Sequence, residues 1–135
     1  VISEFSGSES AKIAGYHLGK MKYESGDKIG AEIYLSQYLQ DQPVDVMVSS
    51  TALMLADISL QAGNTKEAIS FLNKGIKKSK DSHTRRMIKL EKAKLILSQG
   101  DIERARAITD GVLSNKDVTV IEKQVAEELL GRIPG

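Results

Sequence analysis

At 135 residues, 41% of them hydrophobic, the chain can bury one continuous core, and its length calls for no second domain. The absence of Cys excludes disulfide frameworks, thiolate metal sites and cysteine nucleophiles, and no stretch approaches the ~20 consecutive apolar residues of a membrane-spanning helix. The formal net charge of +1 conceals an uneven spread: residues 74–94 hold nine basic side chains against Asp81 and Glu91, which leaves the remainder acidic.

Aromatic residues are 4% of the chain and Trp is absent, while Ala, Leu, Ile, Lys and Glu abound, a composition of packed helices rather than of a β-barrel or sandwich. Apolar periodicity predicts seven helices, over about 9–25, 28–40, 46–62, 65–79, 83–99, 102–114 and 119–131. The first stops at Gly26, and Asp27 can cap the second, which carries Ala31, Leu35 and Tyr38. Asp41, Gln42, Pro43 and Asp45 mark the turn into the third helix, whose Leu53, Leu55, Ile58 and Leu60 precede Gly63. Asn64 then caps the fourth helix, with Glu67 at capping-box spacing and Ala68, Ile69, Leu72 and Ile76 behind it. After a break at 79–82 the fifth helix runs to Gly100, Asp101 caps the sixth, and a second break follows at 115–117. Thr119 and Glu122, again at capping-box spacing, open the last helix ahead of Ile121, Val125, Ala126, Leu129 and Leu130.

These segments repeat with a period of 37 residues: Gly26, Gly63 and Gly100 recur at that interval, as do Ala31, Ala68 and Ala105, and Gly19, Ala56 and Ala93. Each unit is expected to be a helical hairpin, with boundaries near 12–48, 49–85 and 86–118 inside a single domain spanning 1–135. Gly19 is expected to face the Ala31 level of its partner helix, and Ala56 and Ala93 to meet Ala68 and Ala105 in the same way. The helix over 119–131 repeats the first half of a unit and should cap the open end of an all-α stack.

Leu18, Gly19, Gly26, Ala31, Leu35, Tyr38 and Pro43, echoed by Leu55, Ala56, Gly63, Ala68 and Leu72 and then by Ala93, Gly100, Ala105 and Val112, resemble the tetratricopeptide repeat. The resemblance covers nearly the whole chain and implies a right-handed stack of three hairpins. The chain departs from the 34-residue family spacing, and Lys92 stands where the first two units have Leu18 and Leu55. The terminal run Val125-Ala126-Glu127-Glu128-Leu129-Leu130-Gly131, together with a start at Val1 that lacks an initiator Met, is similar to the periplasmic YfgM-like ancillary subunits of the SecYEG translocon. That likeness implies a piece trimmed from a longer protein, held at the inner membrane by an upstream anchor. A cytoplasmic module is the alternative.

No GxGxxG after a strand, GxxxxGK[ST], GxSxG or HExxH is present, so no enzyme, cofactor or metal site is expected. The two His residues, His17 and His83, lie in different units and read as solvated or groove-lining. In stacked hairpins the first helices line a concave groove. By register its candidates are Ile13, Tyr16, His17, Lys20 and Tyr23 from the first unit, Ser50, Leu53, Met54, Asp57, Leu60 and Gln61 from the second, and Met87, Leu90, Glu91, Lys94 and Leu97 from the third. Exposed Tyr, Met and Leu beside isolated charges suit a peptide or an amphipathic helix, so the expected function is a protein-interaction scaffold, with homodimerisation as the alternative. The basic residues Lys74, Lys77, Lys78, Lys80, Arg85, Arg86 and Lys89 read as a solvated face, or as a surface for an acidic protein or lipid headgroups. No neighbouring aromatics are available for base stacking, so no nucleic acid is expected.

Overall fold

The computed structural model describes residues 8–41 and 44–134, which places the expected turn residues Gln42 and Pro43 outside the described part. Among the described residues all regular structure is helical: α1 (Glu9–Glu24), α2 (Lys28–Gln40), α3 (Asp45–Gln61), α4 (Thr65–Lys78), α5 (Ser82–Ser98), α6 (Ile102–Leu113) and α7 (Val120–Gly131). Each helix end falls within one residue of the sequence-based boundary.

Local chemistry explains that agreement. Gly26, Gly63 and Gly100 have φ of 87°, 77° and 91°, the left-handed conformation that ends α1, α3 and α5 and that a side chain would strain. The next residue in each case caps the following helix. Asp27 accepts from the Gly30 amide at 2.9 Å, Asn64 from Glu67 at 3.1 Å, and Asp101 from Arg104 at 3.2 Å. Ser8, Asp81 and Thr119 do the same for α1, α5 and α7, and among the described residues α3 alone has no side-chain cap.

Packing joins consecutive helices all along the chain, and α1 also touches α3, α2 touches α4, α3 touches α5, and α5 touches α7. One buried cluster runs from Tyr16 and Leu35 through Leu55 and Leu72 to Ile88; a second gathers Leu90, Ala93, Val112, Ala126 and Leu129. Helix α5 is the wall the two clusters share. Small residues set the closest approaches. A Cβ on Gly19 would lie 2.7 Å from Leu35, so its near neighbour on α2 is Leu35, one turn beyond the expected Ala31 level. A Cβ on Gly75 would lie 2.7 Å from the Ala52 Cβ and 3.3 Å from Ile88, which pinches α4 between α3 and α5.

Ala68 is fully buried on α4 within the first cluster. Replacing it with Leu should lower unfolding stability by about 1–3 kcal/mol through overpacking. Urea denaturation followed by circular dichroism reads this directly, and an unchanged midpoint would mean that α4 can shift to make room.

Candidate functional site

On α3 the residues Leu53, Asp57 and Leu60 follow i, i+4, i+7 spacing, and on α5 Glu91, Lys94, Leu95 and Ser98 keep a matching stripe. The two stripes meet around an open cavity of about 330 Å³, floored by Ala56 and the buried Leu72. Leu53, Leu60 and Leu95 form apolar walls, and the charges of Asp57, Glu91 and Lys94 stand around them. Leu60 keeps 38% of its surface exposed, which makes it the accessible apolar contact here. Expected groove members Leu53, Asp57, Leu60, Glu91 and Lys94 are thus brought together, while Leu95 and Ser98 were missed although they lie one turn beyond Glu91 and Lys94.

Asp57 is already engaged at the cavity's edge: its carboxylate accepts from Tyr23 Oη at 2.5 Å and from Gln61 Nε2 at 2.8 Å. The hydrogen bond to Asp57, then burial and the Asp57 charge, push the Tyr23 phenol above its ordinary pKa. His17 and Lys20 are exposed on α1, away from the lining of this cavity.

Three groove candidates belong to the core instead. Tyr16, Met54 and Leu90 are 5%, 8% and 1% exposed. Leu90 packs with Val112, Ala126 and Leu129 in the second cluster, Met54 belongs to the first, and Tyr16 reaches the next first helix. Tyr16 Oη bonds Ser50 Oγ at 2.8 Å across α1 and α3, and its ring lies 5.3 Å from that of Tyr38. Tyr23 and Asp57, each seven residues further along, repeat the same inter-helix link. Met87 is partly buried against the second cluster and offers little free surface.

The basic residues have different surroundings. Lys74 lies over the Phe71 ring at 5.2 Å, and Lys78 Nζ donates to the Gln40 carbonyl at 2.9 Å, where the C-terminal end of α2 favours a cation. Arg85 donates to the Ser79 carbonyl and Ser82 Oγ at 3.0 and 3.1 Å; Lys77, Lys80 and Lys89 are exposed. Arg86 is a correction, because it is buried and ion-paired. Its guanidinium donates to both carboxylate oxygens of Glu122 on α7, and to Asp117 Oδ1 at 3.3 Å. His83 also departs from expectation: its Nδ1 is in hydrogen-bond contact with the same carboxylate, to which the Thr119 hydroxyl donates at 3.0 Å.

Glu122 itself is fully buried. Burial pushes its pKa up, but hydrogen bonds from Arg86, His83 and Thr119, with the Arg86 charge, outweigh that and hold it at about 2 rather than 4.5. This pair was missed because Arg86 reads as part of a basic run and Glu122 as half of a capping box. The available signal was that Glu122 falls on the same stripe as the buried Ala126, Leu129 and Ile133.

No group of His, Asp and Glu suited to a metal ion occurs among the described residues, and none of their helices is long and apolar enough to cross a membrane. A scan against protein-family models finds no match, and a search of curated proteins finds none either.

Because the folded-state pKa of Glu122 lies below its unfolded value, the stabilisation it gives is complete above pH 4.5 and is lost as the pH falls from there toward 2. Glu122→Gln leaves Arg86 buried beside a neutral amide, which should cost about 3–5 kcal/mol at neutral pH. It should also flatten the stability profile across that acid window. Denaturation curves at several pH values check both, and a variant as acid-sensitive as the wild type would assign the loss to other carboxylates.

Proposed function

We propose that the chain is a protein-interaction scaffold of tetratricopeptide-like build, three hairpins in a right-handed stack with α7 as cap, which holds a peptide or helical segment between α3 and α5. The α3–α5 cavity carries the reading. Apolar walls of Leu53, Leu60 and Leu95 with both signs of charge at hand match an amphipathic segment, whose apolar side chains need water-free contact and whose polar side chains need partners. The contacts of α1 with α3, α3 with α5, and α5 with α7 are those such a stack requires. On the same reading the chain is a YfgM-like translocon accessory that acts in the periplasm. The sequence resemblance supports that narrower placement.

A peptide selected on the wild-type chain from a displayed library of amphipathic sequences provides the test. Leu60→Glu should weaken its binding by about 1–3 kcal/mol in isothermal titration, and Lys94→Glu should change the selectivity for acidic peptides. Helical content should be unchanged, since Leu60 is partly exposed. Equal affinity for both variants would move the site off this cavity.

Self-association is a second reading, favoured by Ile29 and Ile33, one turn apart on α2 and 78% and 64% exposed. If copies pair there, Ile29→Lys with Ile33→Lys should convert a concentration-dependent dimer to monomer in sedimentation. A wild-type chain that is monomeric at every concentration would remove this reading.

A further inference from the structure

The groove between α2 and α4 recurs one unit later between α4 and α6, and the two differ in what fills them. The earlier one is lined by Ser36, Leu39, Phe71, Lys74 and Lys78; the residues 37 further on, Asn73, Ile76, Ile108, Gly111 and Asn115, line the later one. In the earlier unit Ala52 and Leu55 are completely buried apolar residues. Their counterparts 37 residues on are Lys89 and Lys92, and both line the later cavity. Meanwhile Ile108 stands where the earlier groove has the Phe71 ring and Gly111 where it has the Lys74 chain, while the two cavities have the same volume. The later cavity, of about 360 Å³, is lined by the apolar Ile76, Ile108 and Val112 together with the lysines Lys89 and Lys92.

These ammonium groups are not satisfied by the protein. Two of the earlier groove's three lysines are engaged, Lys74 by Phe71 and Lys78 by the Gln40 carbonyl, and the third, Lys77, is exposed. Neither Lys89 nor Lys92 has a hydrogen bond or ion pair among the described residues, and no carboxylate lines the cavity. Arg86 also borders it, but Glu122 and Asp117 neutralise that guanidinium from behind. Asn115 directs its amide to the Gly111 and Val112 carbonyls, which leaves Asn73 as the neutral donor. Burial first, then the charges of Arg104 and Lys89, hold the Lys92 ammonium below its ordinary pKa. An anion placed between the lysines would relieve that repulsion.

The geometry points to a binding site for a small organic anion, a carboxylate or phosphate carried on an apolar body, with Lys89 and Lys92 on the charge and Ile76, Ile108 and Val112 on the body. The volume lies within the range of small-molecule sites, and the pairing of an apolar wall with a few convergent polar groups is their usual make-up. Lysines act here as point charges, which suits either head group. The site is separate from the α3–α5 cavity and does not depend on what that cavity binds.

Amide-resolved NMR titration of the intact chain tests it, with hexyl phosphate, hexanoate, inorganic phosphate and hexanol as probes. Saturable shifts are expected at Asn73, Gly111 and Asn115 for the two amphipathic anions, with inorganic phosphate and hexanol at least about tenfold weaker, since each lacks one half of the match. Lys92→Leu restores the residue type of the earlier unit and should weaken hexyl phosphate about tenfold or more, while Lys92→Arg retains it and Lys20→Leu on α1 leaves it unchanged. Circular dichroism of each variant confirms that the helices remain. Absence of saturable shifts at these amides, equal response to inorganic and hexyl phosphate, or undiminished binding by Lys92→Leu would each overturn the assignment.

Discussion

Helices come within touching distance only where one of them carries almost no side chain, and this chain meets that condition at a few crossings from which the rest of the packing follows. Gly19 lets α2 settle with Leu35 directly over the α1 backbone, and Gly75 lets α4 lie against Ala52 of α3 and Ile88 of α5 at once. Because Gly75 touches both neighbours, the spacing of α3, α4 and α5 is fixed together rather than pair by pair. Large side chains can then fill the gaps beside the crossings, as Leu55, Leu72 and Ile88 do in full burial.

Polar groups then determine how one unit follows the next. Tyr16 with Ser50 and Tyr23 with Asp57 tie α1 to α3 through hydrogen bonds at two points seven residues apart, which admits only one register between the helices. At the other end the same role passes to charge. Glu122 gathers Arg86, His83 and Thr119 around one carboxylate, and every acceptor position used is directional. An apolar pair of equal volume would bury α7 as well but would allow it to slide or rotate. No buried side-chain polar atom among the described residues is left without a partner, so the internal ionic group is compatible with a tightly packed interior.

The seven helices were legible because a Gly followed by Asp or Asn, at 26–27, 63–64 and 100–101, states both a stop and a start in two residues. Placement of side chains on the first helices was less legible. Tyr16 and Met54 are buried, Leu53 and Leu60 line the open cavity, and all four lie on first helices of the hairpins. Only the contact between units, which no single helix encodes, separates core from cavity. Arg86 and Glu122 illustrate the same limit in charge: each has an ordinary local explanation, and their burial makes sense only when the two are seen as partners 36 residues apart. Lys92 was noticed as an irregular member of the repeat. What it faces became clear only once α4 and α6 stood on either side of it.

The attachment of the last helix has a mechanical consequence. Among the described helices α7 touches α5 and α6 alone, whereas α3 touches α1, α2, α4 and α5, and α4 touches α2, α3 and α5. Tension applied beyond Pro134 would therefore load the contacts of α7 one after another, in the manner of a strip being peeled, before it reached the Tyr16–Leu72 cluster. The Arg86–Glu122 group sits at the far end of that strip, in the first turn of α7, and would be the last catch to release. A helix fastened most firmly at its own beginning can lift at its C-terminal end and settle again without losing its alignment with the layers beneath.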